Sequence, residues 1–520
     1  MYKQYLAVLF LLFFCAVSKG QEGFTQGRLK FTIRNDGVVD LSESESSMAL
    51  YHSQHNKILV IPCKVFYEGR TYTVQSVQGF NYDSDLEQVF IEDGVECIEE
   101  AFSHCPNLRA VYIGRDVEQM YRSFQWNPML ERIVVDKNNS TYDSRGDCNA
   151  IIETKANRLI CGCKTTIIPA QIQAIGEEAF LGCEDFDEML LPEGILILED
   201  NAFSECINLK NINLPQSLKK IECEVFSGCT SLTSVNIPQQ VEDIGLEVFT
   251  GCSSLDTIVV DKRNQKYDSR CGCNAIIETS THKLIAGCRS SFIPNGVREI
   301  EDNAFSSIPI ESVIVPKSVV KMGMRVFAGC NHLAEIQVDK QNPVFDSRHN
   351  CNAVVETESN TIVAASMNTT FDISVTAIGN YAFSGIPTPS VVNIPEGITK
   401  IGSGAFSSNK YVSRLILPKS LESVGQNAFG DCWSLHEIRW KGYVKTIETG
   451  VFRNCPSLWR VEIPEGTQTI RADAFGWCKN LCFVILPSTL ETIEQQAFEG
   501  CPVDSVLKTT PDNIGCTHLK

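Results

Sequence analysis

The sequence predicts a repeat solenoid built from short parallel β-strands, with β-hairpin insertions and an N-terminal β cap. A phenylalanine preceded by alanine or valine recurs every 22 or 23 residues, and a block of about 33 extra residues interrupts this period three times. A unit this short cannot bury its own apolar face, whereas stacked units share a continuous core. The recurring phenylalanines, with Phe124 as a degenerate member, are Phe102, Phe180, Phe203, Phe226, Phe249, Phe305, Phe327, Phe383, Phe406, Phe429, Phe452, Phe475 and Phe498.

The chain begins with a segment that predicts export. Lys3 precedes an apolar run over residues 6–17, and the small residues Ser18 and Gly20 follow it. A basic start, about a dozen apolar residues and small residues before a cleavage site are typical of a secretory signal peptide. We therefore predict a signal peptide over residues 1–20, cleaved near Gly20, and a secreted or cell-surface location. The run is too short to cross a bilayer, so the protein is not expected to be membrane-spanning.

Residues 21–73 precede the first clear repeat and predict an N-terminal β cap. Phe31–Ile33 and Tyr72–Val74 are rich in β-branched and aromatic residues, which favour β-hairpins. A cap is expected because the open end of a solenoid exposes its core. The repeats then occupy about residues 74–507, and a C-terminal tail covers residues 508–520.

Each repeat unit predicts one short strand followed by a turn. In Leu232–Pro238, Val235 and Ile237 alternate with polar residues, which is the pattern of a strand with one face inward. The proline then ends strand pairing because it has no N–H donor. Gly245 permits a turn, and Phe249 fills the interior. Stacked units would place their strands side by side in a parallel sheet.

The three extra blocks are copies of one another and predict β-hairpins packed on the solenoid. Each contains an Asp-Ser-Arg triplet, a cysteine followed by Asn-Ala, and two β-branched stretches joined by a polar turn. The blocks cover about residues 136–168, 261–293 and 339–371, and their matching segments are Tyr142–Thr154, Tyr267–Thr279 and Phe345–Thr357.

This repeat resembles the BspA-type, or Treponema-type, leucine-rich repeat, whose motif reads roughly LxxIxLPxxLxxIGxxAFxxC. The resemblance extends over about residues 74–507, and the motif is highly specific for the family. It implies an exported protein that binds other proteins, with adhesion to host matrix or plasma proteins such as fibronectin and fibrinogen as the expected role. Since function resides in a site and not in a fold, this role is an analogy.

The cysteines predict packing within the core. Of the 23 in the chain, ten lie three residues after a repeat phenylalanine, where other units carry Ile308, Ile386 and Asn409. A cysteine in a disulfide could not be exchanged for isoleucine without leaving its partner cysteine unpaired, whereas a small buried packing residue could be exchanged. The ten are Cys105, Cys183, Cys206, Cys229, Cys252, Cys330, Cys432, Cys455, Cys478 and Cys501.

The insertions leave a disulfide as an alternative. Cys148 and Cys163 correspond to Cys273 and Cys288 in the second copy, and an exported protein meets an oxidising environment. The third copy has Ser366 in place of the second cysteine, so an obligatory bridge is not expected. No histidine cluster completes a zinc site beside these cysteines, and we expect neither a metal nor a cofactor.

Composition and motifs argue against several functions. The formal charge of −18 would repel phosphate backbones, so nucleic acid is not an expected partner. The eight histidines are scattered, and no nucleophile elbow, phosphate-binding loop or metalloprotease motif occurs. The longest stretch without repeats is about 50 residues, too short for a fused catalytic domain. We therefore do not expect an enzyme.

The remaining hypothesis is recognition by the exposed face of the sheet. Outward positions near the C-terminus combine apolar and charged residues, and three tryptophans fall at nearby turns. Aromatic and arginine side chains are favoured anchors of interfaces, although such aromatics can equally pack across strands or against the tail. Glycan binding and a passive structural role in the envelope remain alternatives. The candidate ligand-binding residues are Arg439, Arg460, Phe483, Ile485, Trp433, Trp459 and Trp477.

Overall fold

The computed structural model describes residues 23–26, 29–35, 37–43 and 57–502, so the predicted signal peptide and C-terminal tail lie outside the described residues. The chain divides into two compact units. The N-terminal unit runs to Thr230 and includes Asp243–Gly245, and the C-terminal unit consists of Ser231–Glu242 and the chain from Leu246 onward. Each unit is a β-solenoid, as the repeat predicts.

The N-terminal cap is a mixed sheet that closes the core of its unit. Strands β1, β2 and β3 are antiparallel, β3 pairs in parallel with β6, and β5 and β6 form a hairpin. Phe24, Phe31 and Leu41 are buried in it, and the rings of Phe24 and Phe31 stack with centroids 4.9 Å apart. The strands are β1 (Gly23–Gln26), β2 (Leu29–Asn35), β3 (Val38–Glu43), β4 (Ile58–Ile61), β5 (Lys64–Tyr67) and β6 (Arg70–Gly79).

The remaining strands of the N-terminal unit belong to coils and to the first insertion. They are β7 (Gln88–Ile91), β8 (Cys97–Ala101), β9 (Ala110–Ile113), β10 (Gln119–Tyr121), β11 (Arg132–Val135), β12 (Tyr142–Asp143), β13 (Ile151–Glu153), β14 (Arg158–Cys161), β15 (Ala174–Ile175), β16 (Glu188–Leu190), β17 (Ile197–Leu198), β18 (Asn211–Asn213) and β19 (Lys220–Ile221). Strand β21 (Asp243–Ile244) also belongs to this unit, whereas Ser231–Glu242, which precedes it, belongs to the other.

The C-terminal unit repeats the same elements through two further insertions. Its strands are β20 (Ser234–Ile237), β22 (Thr257–Val260), β23 (Tyr267–Asp268), β24 (Ala275–Glu278), β25 (Lys283–Gly287), β26 (Glu299–Ile300), β27 (Ser312–Val315), β28 (Lys321–Met322), β29 (Glu335–Val338), β30 (Phe345–Asp346), β31 (Ala353–Glu356), β32 (Thr361–Ala365), β33 (Ala377–Ile378), β34 (Val391–Asn393), β35 (Lys400–Ile401), β36 (Arg414–Leu417), β37 (Ser423–Val424), β38 (Glu437–Trp440), β39 (Thr446–Ile447), β40 (Arg460–Glu462), β41 (Thr469–Ile470), β42 (Phe483–Ile485) and β43 (Thr492–Ile493).

Each coil contributes two strands to two separate parallel ladders. The longer strand comes from the L-x-x-I-x-I segment, and these strands form what we call the sheet face. Their residues alternate between exposed and buried positions, as in β27, where Val313 and Val315 point inward and Ile314 points outward. The second ladder consists mostly of two-residue strands that end at an aliphatic residue before the turn, such as Ile401 in β35 and Val424 in β37. The sequence did not predict this second ladder, because two residues leave no periodicity.

The repeat phenylalanines form stacked columns inside the coils. Within each run of coils the neighbouring rings lie nearly parallel, with centroids 4.7 Å apart for Phe383 and Phe406 and 5.6 Å apart for Phe429 and Phe452. The backbone follows the same spacing, since the Phe429 N–H donates to the carbonyl of Val451 in the next coil. Side-chain stacking and coil-to-coil hydrogen bonding therefore reinforce one register.

The insertions lie within the stack and do not pack on its outside, which corrects the arrangement that the sequence predicted. In the first copy β12, β13 and β14 form an antiparallel meander, and β14 then pairs in parallel with β15 of the next coil. Ile151, Ile152 and Leu159 of this meander are fully buried. The predicted hairpins are thus confirmed, and each one begins a new segment of the second ladder by pairing with the coil that follows it.

A glycine lets each of the first two insertions meet the following coil. A Cβ atom on Gly162 would lie 2.1 Å from Cε1 of Phe180, and Gly287 stands in the same relation to Phe305. The phenylalanine ring that begins the next column therefore rests directly on the backbone of the insertion. A larger residue at either glycine would displace that ring.

An ion pair fixes the turn of each insertion. The Arg145 guanidinium donates to both carboxylate oxygens of Asp143 and also to Oδ1 of Asn157. The Asp268–Arg270 and Asp346–Arg348 pairs repeat this arrangement. The Asp-Ser-Arg triplet of the sequence is therefore a structural clip, and its bidentate geometry explains why arginine recurs in all three copies.

We expect Phe429→Ala to be strongly destabilising, because it removes one ring from the middle of a column and leaves a cavity. The expected loss in the free energy of unfolding is about 3–5 kcal/mol, measured by urea denaturation. Tyr411→Ala is the matched control, since Tyr411 is exposed and its loss should cost within about 0.5 kcal/mol. Equal effects of the two substitutions would contradict the role given to the column.

Candidate functional site

The last coils of the C-terminal unit bring together part of the predicted site. Strand β40 pairs in parallel with β42, which places Arg460 beside Phe483 and Glu462 beside Ile485 on the outward side. Val461 and Val484 between them are buried. Alternation along the strand therefore positions these four side chains on the sheet face, with the core holding the backbone beneath them.

An indole completes this cluster. Trp459 precedes β40 and packs edge-to-face against Phe483, with ring centroids 6.0 Å apart. About half of each side chain stays exposed, 50% of Trp459 and 47% of Phe483. The two aromatics thus contact one another across strands and still present an apolar surface to solvent.

Arginines flank the cluster on the preceding coils. Arg414 on β36 and Arg439 on β38 each donate through Nε to a different carboxylate oxygen of Glu437. The hydrogen bond from Arg439, together with the one from Arg414, lowers the pKa of the Glu437 carboxyl below its ordinary value. Arg460 has a looser neighbour, with its Nη2 lying 3.7 Å from Oε2 of Glu462.

Two predicted site residues lie apart from this cluster or are differently engaged. Trp477 follows the repeat phenylalanine and lies over Gly500 of the next coil, so it belongs to the turn and not to the sheet face. Trp433 has the ammonium of Lys410 over its ring at 5.3 Å. This cation–π contact covers one ring face and holds the indole in place.

A second aromatic group escaped the sequence analysis. The rings of Tyr82, His104 and Trp126 stack in sequence on the turns of the N-terminal unit, with centroids 4.6 and 5.5 Å apart. Burial lowers the pKa of His104, so its imidazole is neutral at neutral pH. The three residues are 22 positions apart, and His104 and Trp126 each lie two positions after a repeat phenylalanine. Tyr82 lies two positions after Phe80, whose ring stacks on Phe102, and this spacing is the signal that could have identified the group.

The cysteines of the turns are structural. All ten are buried, as expected for packing residues. The Sγ atom of Cys432 donates to the carbonyl of Phe406, and the same bond recurs from Cys330 to Phe305. Asn127 occupies the equivalent position and donates its amide to the carbonyl of Phe102, which explains why cysteine and asparagine exchange there.

The insertion cysteines are free. Sγ of Cys163 donates to the carbonyl of Asn149, and Cys288 does the same to Asn274. Ser366 donates its hydroxyl to Asn352 at the equivalent place in the third copy. A hydrogen-bond donor is therefore what this position requires, and a disulfide is not part of the arrangement.

Two features are absent from the described part of the chain. Between residues 57 and 502, and in the cap strands before them, no group of three or more histidine, cysteine, aspartate or glutamate side chains is placed to hold a metal ion. Within the same part of the chain, no helix is long and apolar enough to span a bilayer.

The repeat region matches a family of known proteins. The model of the BspA type leucine rich repeat region matches residues 71–145, 151–275, 273–353 and 376–504, which is more than half of the chain. The chain belongs to the BspA-type leucine-rich repeat family. In this chain the BspA-type repeat produces three features described above. They are the hydrogen bonds from the turn cysteines and Asn127, the phenylalanine columns and the sheet face.

Several solved bacterial structures are similar to this BspA-type chain. A leucine rich cell surface protein of Faecalibacterium prausnitzii is 20% identical over 93% of this chain and 94% of that one, with a TM-score of 0.38. A leucine-rich repeat protein of Bacteroides ovatus is 20% identical over 92% of both chains, with a TM-score of 0.32. The pneumococcal vaccine antigen PcpA is 13% identical over 92% of this chain and 90% of that one, with a TM-score of 0.30. No curated protein matches the sequence.

The buried thiols of these repeats predict that stability falls in alkali. Burial raises the pKa of Cys330 and of Cys432 to about 12, from an ordinary value of 9.0. Above pH 9 the unfolded chain releases protons that the folded chain retains, so each thiol reduces stability by about 1.4 kcal/mol per pH unit until the folded value is reached.

Urea denaturation at pH 8 and pH 10 tests this expectation. The loss of stability between the two pH values should be smaller in Cys432→Ser than in Cys271→Ser, by about 1 kcal/mol, because Cys271 is exposed. An equal loss in the two variants would contradict a buried, protonated Cys432.

Proposed function

We propose that the protein is an exported, non-catalytic binding protein whose C-terminal sheet face attaches to a protein at the surface of another cell or in its matrix. The observation that carries the proposal is the cluster of Trp459, Phe483 and Ile485 beside Arg460. It combines exposed apolar area with a charged rim, which is the composition of protein–protein hot spots. The BspA-type repeat and the predicted signal peptide support an extracellular role.

The aromatic geometry favours a protein partner over a glycan. Sugar rings are bound by the flat faces of exposed aromatics, and here many of those faces are covered. Phe90 and Tyr112 stack on each other with centroids 4.3 Å apart, and Lys410 lies over one face of Trp433. Trp459 and Phe483 pack against each other edge to face. Contacts within the chain therefore occupy part of the ring surface that a sugar would need, whereas the exposed Ile485 beside these rings suits a protein surface.

Binding of the purified protein to an immobilised panel tests the proposal. The panel contains fibronectin, fibrinogen, other matrix and plasma proteins, and mucosal glycans, at about 150 mM salt so that weak surface electrostatics are screened. A saturable protein partner is expected. If a folded sample binds nothing on the panel, the result would instead support a passive structural role. Binding to glycans alone would overturn the choice of a protein partner.

The double substitution Phe483→Ala with Ile485→Ala should weaken binding of that partner by about tenfold or more, because it removes the centre of the apolar cluster. Ile314→Ala is the matched control, since Ile314 occupies the same outward position on β27 and is 65% exposed. Surface plasmon resonance gives both dissociation constants. A control that loses as much affinity as the double variant would place the site elsewhere.

A further inference from the structure

The sheet face at the C-terminal end has an unusual charge for this chain. The whole sequence carries 63 acidic and 45 basic residues. The outward positions of β36, β38 and β40 nevertheless hold three arginines, Arg414, Arg439 and Arg460, against the two carboxylates of Glu437 and Glu462. A locally cationic patch thus lies on an acidic protein.

These arginines retain donors that no carboxylate of the described residues uses. Arg414 and Arg439 contact Glu437 through Nε only, and the terminal nitrogens of both guanidiniums make no hydrogen bond within the described part of the chain. Arg460 lies 3.7 Å from Glu462, beyond hydrogen-bonding distance. The side chains of Arg439 and Arg460 are 59% and 50% exposed. These donors are therefore open to a partner, and the hydrogen bonds to Glu437 hold the guanidiniums of Arg414 and Arg439 in position.

Apolar side chains lie beside the cations. Ile416 is the register partner of Arg439, and Phe483 is the register partner of Arg460. A partner that uses both features must offer carboxylates at the arginines and apolar groups beside these carboxylates. Guanidinium groups bind carboxylates with paired, parallel hydrogen bonds, which gives such a contact both strength and orientation.

We propose that this face recognises an acidic segment of a partner protein in which aspartate or glutamate residues are interspersed with apolar ones. The inference rests on the function proposed above and specifies the chemistry of its partner. The acidic remainder of the molecule repels such a segment, so the cationic patch directs it to one place. The internal contacts with Glu437 reduce the ordering that binding requires.

A displayed library of random dodecapeptides, selected on the full chain, tests the proposal. The selected sequences should be enriched in aspartate and glutamate, and a selected peptide should lose about tenfold or more in affinity when its carboxylates are replaced by amides. The same peptide should weaken as salt rises, because part of the attraction is electrostatic. Selection of peptides without acidic enrichment, or of none, overturns the proposal.

The double variant Arg439→Gln with Arg460→Gln should bind the selected peptide with an affinity about tenfold or more lower. Arg263→Gln is the matched control, since Arg263 is exposed, pairs with Asp261 and lies outside the sheet face. A circular dichroism melt shows that each variant is folded. Unchanged peptide affinity in the double arginine variant overturns the proposal.

Binding to the protein partner identified with the panel distinguishes this proposal from the function on which it rests, when the two double variants are compared. If the arginine variant binds that partner normally while the Phe483→Ala, Ile485→Ala variant does not, the surface is right and the acidic segment is wrong. If neither variant loses the partner, the location of the binding site itself is wrong. If both lose it, the two proposals stand together.

Discussion

The structure depends on one constraint, which is that no coil can bury its own apolar face. Each coil is stabilised only when the next one covers it. The phenylalanine columns show this contact between neighbouring coils. A ring such as that of Phe406 stacks on the rings of two neighbours, while its own N–H donates to the carbonyl of Ala428. Side chain and backbone thus share one spacing, and the sheet face follows from it.

The insertions satisfy the same constraint in another way. Each meander supplies one strand to the second ladder and buries its β-branched residues as a coil would, yet it interrupts both the phenylalanine column and the sheet face. A fourth interruption of the sheet face follows Trp440, where Lys441 and Gly442 replace the usual proline and the indole packs edge-on against Phe452. The exposed surface is therefore divided into short segments. The last two segments, β34–β36–β38 and β40–β42, adjoin each other through β38 and β40, and together they carry the arginines and aromatics at the C-terminal end.

Much of the fold could be predicted from the sequence because its period is strong. The alternation in Leu232–Pro238 predicted the strand, and the exchange of cysteine with Asn409 predicted a buried position at the turn. The copied blocks predicted the hairpins. The intercalation of those hairpins could not be predicted, since a pattern of strands does not state what they pair with. The candidate site was predicted only in part. Outward positions follow from alternation, whereas the two arginines on Glu437, the cation over Trp433 and the displacement of Trp477 onto a turn depend on contacts between coils.

The proposed binding surface is held in place because its strands are fixed by the core beneath them. Hydrogen–deuterium exchange of the full chain, with and without a protein captured from the panel, tests this claim most directly. We expect the partner to slow exchange in the segments around β38, β40 and β42 and to leave the N-terminal unit unchanged. Slowed exchange confined to the N-terminal unit, around the stack of Tyr82, His104 and Trp126, would contradict the account.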